Sequence, residues 1–327
     1  MRLRDLGEWE LLRRLAAYAP AGQFNDDAAL LEERSDRQLV VNTDVLVEGV
    51  HFSDATIEPR DLGWRAAAAN LSDLAAMGCT EVTGITVALV APGDTAWTWV
   101  EGVYAGLRDA LEPHGAVILG GDCSSGAERL LSITALGRVT HGTTIRRGDG
   151  RPGDWLVSSG PHGLSRLGLA LLLDELEAAQ VSPALRERAI EAHRRPQPRL
   201  DVAKALHSCR PSGQAWRVGG ADSSDGLAAA VKAIAATSGC GAALERSQLP
   251  IDPELAQLEA GEHWCLGGGE DFELVLALPP SWAEALLKAL PSSSCIGSLV
   301  EAEPGLVCWQ ESGEPLAATE SGFTHFR

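Results

Sequence analysis

One segment near the middle of the chain, HGTTIRRGDGRPG (141–153), limits what the rest can build. It is polar, rich in glycine and closed by a Pro-Gly turn, so no core helix or strand is expected to run through it. It divides the 327 residues into two parts, each long enough to bury a hydrophobic core of its own. The chain therefore reads as an N-terminal domain over 1–140, a linker over 141–153 and a C-terminal domain over 154–327.

Both parts mix helices with strands. An amphipathic helix opens the chain, followed by a turn at Gly22 to Asp27 and a short strand at Ala28 to Leu31. The Val-rich run QLVVNTDVLVEGV (38–50) predicts a long strand, with Asn42, Asp44 and Glu48 sharing one face. Residues 59–77 predict a helix, with Pro59 in its first turn and Gly78 as its C-terminal cap. A strand near 83–90, a helix over 95–113, a strand at 116–119 running into Gly120-Gly121-Asp122, and a strand over 129–139 complete the first part. Beyond the linker come a strand (Trp155 to Ser158), helices near 164–177 and 183–193, and an acidic cap before an alanine-rich helix over 222–238. LGGGEDFELVLALP then forms a glycine turn running into a strand, ahead of a helix at 281–289. Strict βαβ repetition is missing, and the fold class expected is α+β in two domains.

Composition narrows the partners. The 45 acidic residues outnumber 27 basic ones, for a formal net charge of −18. Nucleic acid and anionic membrane surfaces would be repelled by such a chain. An anionic ligand held through Mg²⁺ would not. No stretch approaches the roughly 20 apolar residues that span a bilayer. The N-terminus has no unbroken apolar run of the kind a signal peptide carries. The seven cysteines form no CxxC pair, and their odd number points to reduced thiols in a soluble, cytoplasmic protein.

What matters more is where the acids lie. Asp26-Asp27, Asp44, Asp73, Asp122, Asp222 with Asp225, and Glu270-Asp271 fall at expected strand ends or helix starts. Their neighbours are apolar or small residues. Within the 59–77 helix, Asp73 shares a stripe with Ala66, Ala69, Asn70 and Met77, so the least charged face carries the acid. A cation beside it would offset the cost of burying that carboxylate. Asp44 lies on a strand face that either meets a cation or is simply solvated. Asp122 follows two glycines, which suits close approach to a ligand or an ordinary turn. Asp222 and Asp225 either cap the following helix or hold metal beside N–H groups that can hold phosphate. Walker, protein-kinase and zinc-site sequences are all missing, which leaves a hard, oxygen-liganded Mg²⁺ cluster as the best account of these acids.

Nine runs resemble one family in order and along nearly the whole chain. They are NDDAALL (25–31), NTDVLVEGVHF (42–52), NLSDLAAMG (70–78), LGGDCSSG (119–126), RPGDWLVSSGPHG (151–163), RPQPR (195–199), DSSDGL (222–227), GGGEDFEL (267–274) and GFTHF (322–326). They resemble the thiamine-monophosphate kinase family, in the superfamily of aminoimidazole-ribonucleotide synthetase and selenophosphate synthetase. VEGVHF, NLSDLAAMG and GGEDFEL together are the specific part.

The resemblance implies a two-domain synthetase-like fold. In it an N-terminal mixed sheet with helices pairs in a homodimer, and a C-terminal α/β sandwich domain completes the active-site cleft. It implies ATP-dependent phosphorylation of thiamine monophosphate to thiamine diphosphate, and for this we expect direct in-line transfer with several Mg²⁺ ions. The implied Mg²⁺ ligands are Asp27, Asn42, Thr43, Asp44, Asp73, Asp122, Asp222 and Asp225. Tyr104, Gly121, Asp122, Arg147 and Ser224 correspond to ATP contacts, and His51, Glu270 and Phe323 to thiamine-phosphate contacts. Asn25 stands in place of a glycine and Asn42 in place of a serine, while Arg146 adjoins Arg147 and could take its role. The alternatives are another ATP-dependent synthetase of the superfamily, or a non-catalytic sensor of thiamine phosphates or Mg-ATP.

Overall fold

The computed structural model describes residues 1–18 and 34–317. Two compact units emerge, one of Met1–Leu74 with Glu81–Val139, the other of Ala75–Thr80 with the chain from Thr140 onward. The turn and strand expected over 22–31 lie outside the described residues, as do Asp27 and Phe323.

In the first unit, α1 (Leu3–Leu15) precedes β1 (Arg37–Val47), α2 (Pro59–Ala76), β2 (Glu81–Ala91), α3 (Trp97–Leu111), β3 (Val117–Ser125) and β4 (Leu130–Thr140). The four strands form one sheet in the order β1-β4-β2-β3. β2 runs parallel to β3 and antiparallel to β4, so the sheet is mixed. Alternation sends Ile85, Val87 and Leu89 of β2 and Leu131, Ile133 and Ala135 of β4 into the core. α2 is alanine-rich because its buried side has no room for more: Ala66, Ala67, Ala68 and Ala75 are all fully buried. β3 does not stop before the two glycines, as expected, but continues through them to Ser125. Its partner β2 supplies a ladder along that whole length, which outweighs the turn propensity of Gly-Gly-Asp.

The second unit holds β5 (Trp155–Ser158), α4 (Leu164–Leu172), α5 (Pro183–Arg194), α6 (Leu200–Cys209), β6 (Gly219–Asp222), α7 (Leu227–Thr237), β7 (Gly241–Leu244), α8 (Gly261–Gly267), β8 (Leu274–Leu278), α9 (Pro280–Ala289), β9 (Ser294–Val300) and β10 (Val307–Trp309). Its six-stranded sheet runs β10-β7-β9-β5-β8-β6. Only the β10–β7 pair is parallel; the others are antiparallel. β8 is buried along all of LVLAL, the pattern of a strand covered on both faces. Leu227, Val231 and Ile234 of α7 pack on Leu156, Val275 and Ala277 of the sheet. α4 ends at Leu172, earlier than expected, where Asp174 takes a left-handed backbone with φ 55°. The fold is α+β with a mixed sheet in each unit.

All seven cysteines are free thiols, and burial pushes Cys79 up to about 12. Among the described residues, no helix is long and apolar enough to cross a membrane.

Candidate functional site

In the first unit the site is organised by Asn70, which is fully buried on α2. Its Nδ2 donates to the carbonyl of Ala66 at 2.9 Å. Its Oδ1 accepts from Asn42 Nδ2 and from the backbone N–H of Asp44, both at 3.2 Å. Asn42 Nδ2 also donates to Asp73 Oδ2 at 2.9 Å. The half-buried face of β1 and the Asp73 face of α2 thus meet at one place. Asn42 Oδ1 is buried there with no hydrogen-bond partner among the described residues.

An orphaned amide oxygen is costly unless something satisfies it. A hard divalent cation would, since amide and carboxylate oxygens are its ordinary ligands. The residues present fit Mg²⁺ on that ground. Among the described residues no three His, Cys, Asp or Glu side chains converge to hold a metal. Thr43 points to the other face of β1, where Oγ1 lies 2.8 Å from Thr134 Oγ1.

Glu48 does not continue the Asn42–Asp44 face, a correction to the sequence reading. β1 ends at Val47, and Glu48 is committed to Arg129, whose Nε donates to Oε2 at 2.9 Å. That bond holds the Glu48 carboxyl below the usual carboxylate range, against the opposing effect of burial. Arg129 also donates to Asp54 at 2.9 Å and lies over the Trp99 ring at 4.9 Å. These contacts fasten the turn that carries His51. There His51 Nδ1 accepts the Val47 N–H at 3.1 Å, which puts the proton of the neutral ring on Nε2.

Tyr104 of α3 is buried, with its ring edge-to-face against Tyr18 at 5.8 Å. Burial, helped by nearby Cys123, raises its hydroxyl well above the ordinary phenol range. Gly121 is required by the sheet itself, because a Cβ there would lie 1.9 Å from the Val87 carbonyl oxygen. Asp122 is exposed within β3 rather than at a strand end, and its Oδ1 accepts the Cys123 N–H at 2.9 Å. β1 and β3 occupy opposite ends of the strand order, so Asp44 and Asp122 stand at opposite sides of the sheet.

In the second unit, Asp222 ends the buried strand β6, and Ser224 Oγ donates to its Oδ1 at 3.5 Å. Neither Asp222 nor Asp225 caps the next helix: the N-cap of α7 is Gly226, without a side-chain cap bond. Glu270 joins this group through its backbone N–H, which donates to Ser224 O at 2.7 Å. Arg146 and Arg147 are both exposed. Arg146 pairs with Gly219, the first residue of β6, and the Arg147 carbonyl accepts Ser238 Oγ at 3.1 Å.

Beneath the turns lies a polar network that the sequence reading did not single out. His162 is fully buried, with Nε2 2.9 Å from Ser223 Oγ and Nδ1 3.2 Å from the Gly160 carbonyl. Burial lowers it to about 4, although the Gly160 contact pulls the other way. Arg199 of the RPQPR run donates to Ser159 O at 2.8 Å and pairs with Glu273, which also accepts from Ser159 Oγ. Burial raises the Glu273 carboxyl nonetheless. The signal for these residues was their place inside the quoted motifs, whose less charged members form the supports.

Residues 25–139 match the AIR synthase related protein N-terminal domain, and 151–306 the corresponding C-terminal domain. A thiamine-monophosphate kinase from Prochlorococcus marinus is 46% identical, over 99% of this chain and 97% of its own length. The crystal structure of a thiamine-monophosphate kinase from Stenotrophomonas maltophilia superposes with a TM-score of 0.78 at 32% identity, covering 94% of this chain and 98% of that one. AaThiL complexed with AMPPCP and TMP superposes with a TM-score of 0.76 at 30% identity, covering 100% and 99%. The chain belongs to the thiamine-monophosphate kinase family.

Proposed function

We propose that the protein transfers the γ-phosphoryl group of ATP to thiamine monophosphate, giving thiamine diphosphate. The choice of substrates is supported by the name of the Prochlorococcus marinus relative and by the AMPPCP and TMP bound in AaThiL. In this chain the chemistry rests on one observation, the orphaned Oδ1 of Asn42, the residue whose Nδ2 donates to the Asp73 carboxylate.

Asn42, Asp44, Asp73 and Asp122 would hold Mg²⁺ in the N-terminal domain (1–140), together with Asp27. Asp222 and Asp225 are assigned the same role in the C-terminal domain (154–327). At position 43 the ligand would be the backbone carbonyl, since the hydroxyl faces Thr134. Bound Mg²⁺ would supply charge neutralisation between the two phosphate groups. Tyr104, Gly121, Asp122, Ser224 and an arginine of the linker (141–153), Arg147 or its neighbour Arg146, are assigned to ATP. His51, Glu270 and Phe323 are assigned to thiamine monophosphate.

A phosphate oxygen of thiamine monophosphate attacks the γ-phosphorus in line with the departing ADP oxygen, and no phosphoenzyme forms. The acceptor is already largely anionic at neutral pH, so none of these side chains needs to act as a strong base. Their task is to hold two anions in register.

The active form is a homodimer in this proposal. Leu39, Val41 and Val45 line the outer face of β1 and are 48%, 56% and 43% exposed. A row of three aliphatic side chains on one strand face suits a protein partner. Two such sheets closing on each other would cover the row. Seven free thiols suit a reducing compartment, and we assign the reaction to the cytoplasm.

The test is to incubate purified protein with ATP, Mg²⁺ and thiamine monophosphate and to look for thiamine diphosphate. Binding without product would support a sensor instead. A ³²P-labelled protein during turnover would rule out direct transfer.

A further inference from the structure

Of the described non-glycine residues, three have a left-handed backbone, and two of them, Glu270 (φ 59°) and Phe272 (φ 53°), flank Asp271. Such conformations persist only where the surroundings over-determine them, and they concentrate at functional sites. The turn that holds them is gripped from two sides.

On one side the grip is backbone to backbone. The Glu270 N–H donates to Ser224 O at 2.7 Å, and the Ser223 N–H donates to Glu273 O at 2.9 Å. Gly269, with φ 70°, permits this approach, since a Cβ there would lie 2.8 Å from Ser224 O. On the other side the grip is one carboxylate. Asp271 Oδ2 accepts the Gly163 N–H at 2.7 Å, and Oδ1 accepts the Ser165 N–H at 3.1 Å, at the start of α4. The Phe272 side chain is buried in the core and cannot swing to compensate.

We propose that Asp271 is a positioning residue for the phosphoryl acceptor: its bidentate hold on the start of α4 maintains the left-handed turn that aims Glu270 at thiamine monophosphate. This rests on the reading of Glu270 as an acceptor contact. Both Asp271 oxygens are occupied by α4 N–H groups, so the residue acts through Glu270 and not on the substrate. Without the carboxylate, residues 270–272 lose one of their two anchors, and the Glu270 side chain departs from its direction. The Ser224 side of the turn keeps its backbone bonds, so the nucleotide contacts assigned there change less.

A carboxylate that merely capped α4 would affect stability and leave substrate affinity alone. The two roles therefore separate in steady-state kinetics. In Asp271→Ala, KM for thiamine monophosphate should rise about tenfold or more while KM for ATP stays within about threefold, as expected when an acceptor contact is misaimed. Asp271→Asn retains one acceptor oxygen for α4 and should fall between Asp271→Ala and the wild type; it also serves if Asp271→Ala does not fold. Circular dichroism and thermal melting establish which variants are folded. A folded variant with a lowered melting temperature and unchanged KM for thiamine monophosphate would overturn the proposal. If the wild type forms no thiamine diphosphate, the kinase reading fails, and the positioning role falls with it.

Discussion

Asn70 on α2 accepts the backbone N–H of Asp44 on β1 at 3.2 Å, with the same oxygen that accepts Asn42 Nδ2. One buried amide thereby sets the register between helix and strand. A slip of one residue in β1 would carry Asn42 and Asp44 to the face that now bears Thr43.

Asn70→Ala would leave the half-buried Asp44 N–H without this acceptor. Stability should fall by about 1 kcal/mol, the lower end of the cost of an unsatisfied donor. Activity should fall about tenfold or more as the metal-facing oxygens lose register. Urea denaturation and initial rates on the same preparation measure both. An unchanged rate would mean that Asn70 serves packing alone.

Asp73 sits one turn from Asn70 and bonds Asn42 Nδ2 at 2.9 Å. Asp73→Ala should lower turnover by about a hundredfold or more while circular dichroism stays that of the wild type, as expected when phosphate charge is no longer neutralised. Mg²⁺ titration supplies the second readout, with a weakened apparent affinity. Near-normal rates would remove Asp73 from the metal site.

Glu270 has φ 59°, a conformation glycine adopts at less cost. Glu270→Gly should therefore stabilise the protein by about 1 kcal/mol while impairing turnover, the signature of strain kept for function. Thermal melts beside kinetic assays check the pair. A loss of stability would show that the glutamate side chain supports the fold.

His162, buried at about 4 against an ordinary 6.5, gains its proton in the unfolded chain first as pH falls. Its contribution to stability is complete above pH 6.5 and drains away towards pH 4. Asp271, raised to about 7 by burial, acts oppositely: its contribution is complete below 3.8 and lost as pH rises through about 7. The stability gap between wild type and His162→Asn should accordingly narrow by about 2 kcal/mol between pH 7 and pH 5. Urea midpoints at the two pH values measure it, and a constant gap would contradict the buried, neutral histidine.

Val41 is 56% exposed on the outer face of β1. Val41→Glu should turn a dimer into a folded monomer in sedimentation velocity, because charge is depleted from the centre of stable interfaces. A monomeric wild type would remove the dimer from the proposal.

The family was legible in the motif runs, and the α+β class in their setting. α2 was legible from its stripe of alanines between Pro59 and Gly78, and β1 from its valines, because each pattern repeats at the period of its own element. The stripe shared by Asn70 and Asp73 was also present in the sequence, since helical spacing alone puts them together.

Other features depend on partners far away along the chain. β6 and β7 read GGAD and GAAL, with too little side chain to show alternation, and they are strands because β8 and β9 lie beside them. Asp222 suits a helix cap by sequence alone, yet pairing with Leu274 makes it the end of a strand. Asp122 moved from a turn into β3 because β2 extends the ladder past both glycines. The bond from the Asp44 N–H to Asn70 and the hold of Asp271 on α4 join residues 26 and more than a hundred positions apart. Local periodicity determined elements such as α2 and β1, and residue order determined the motifs. Only tertiary structure decided which buried donors meet which acceptors, because a hydrogen bond depends on distance in space and not on separation in sequence.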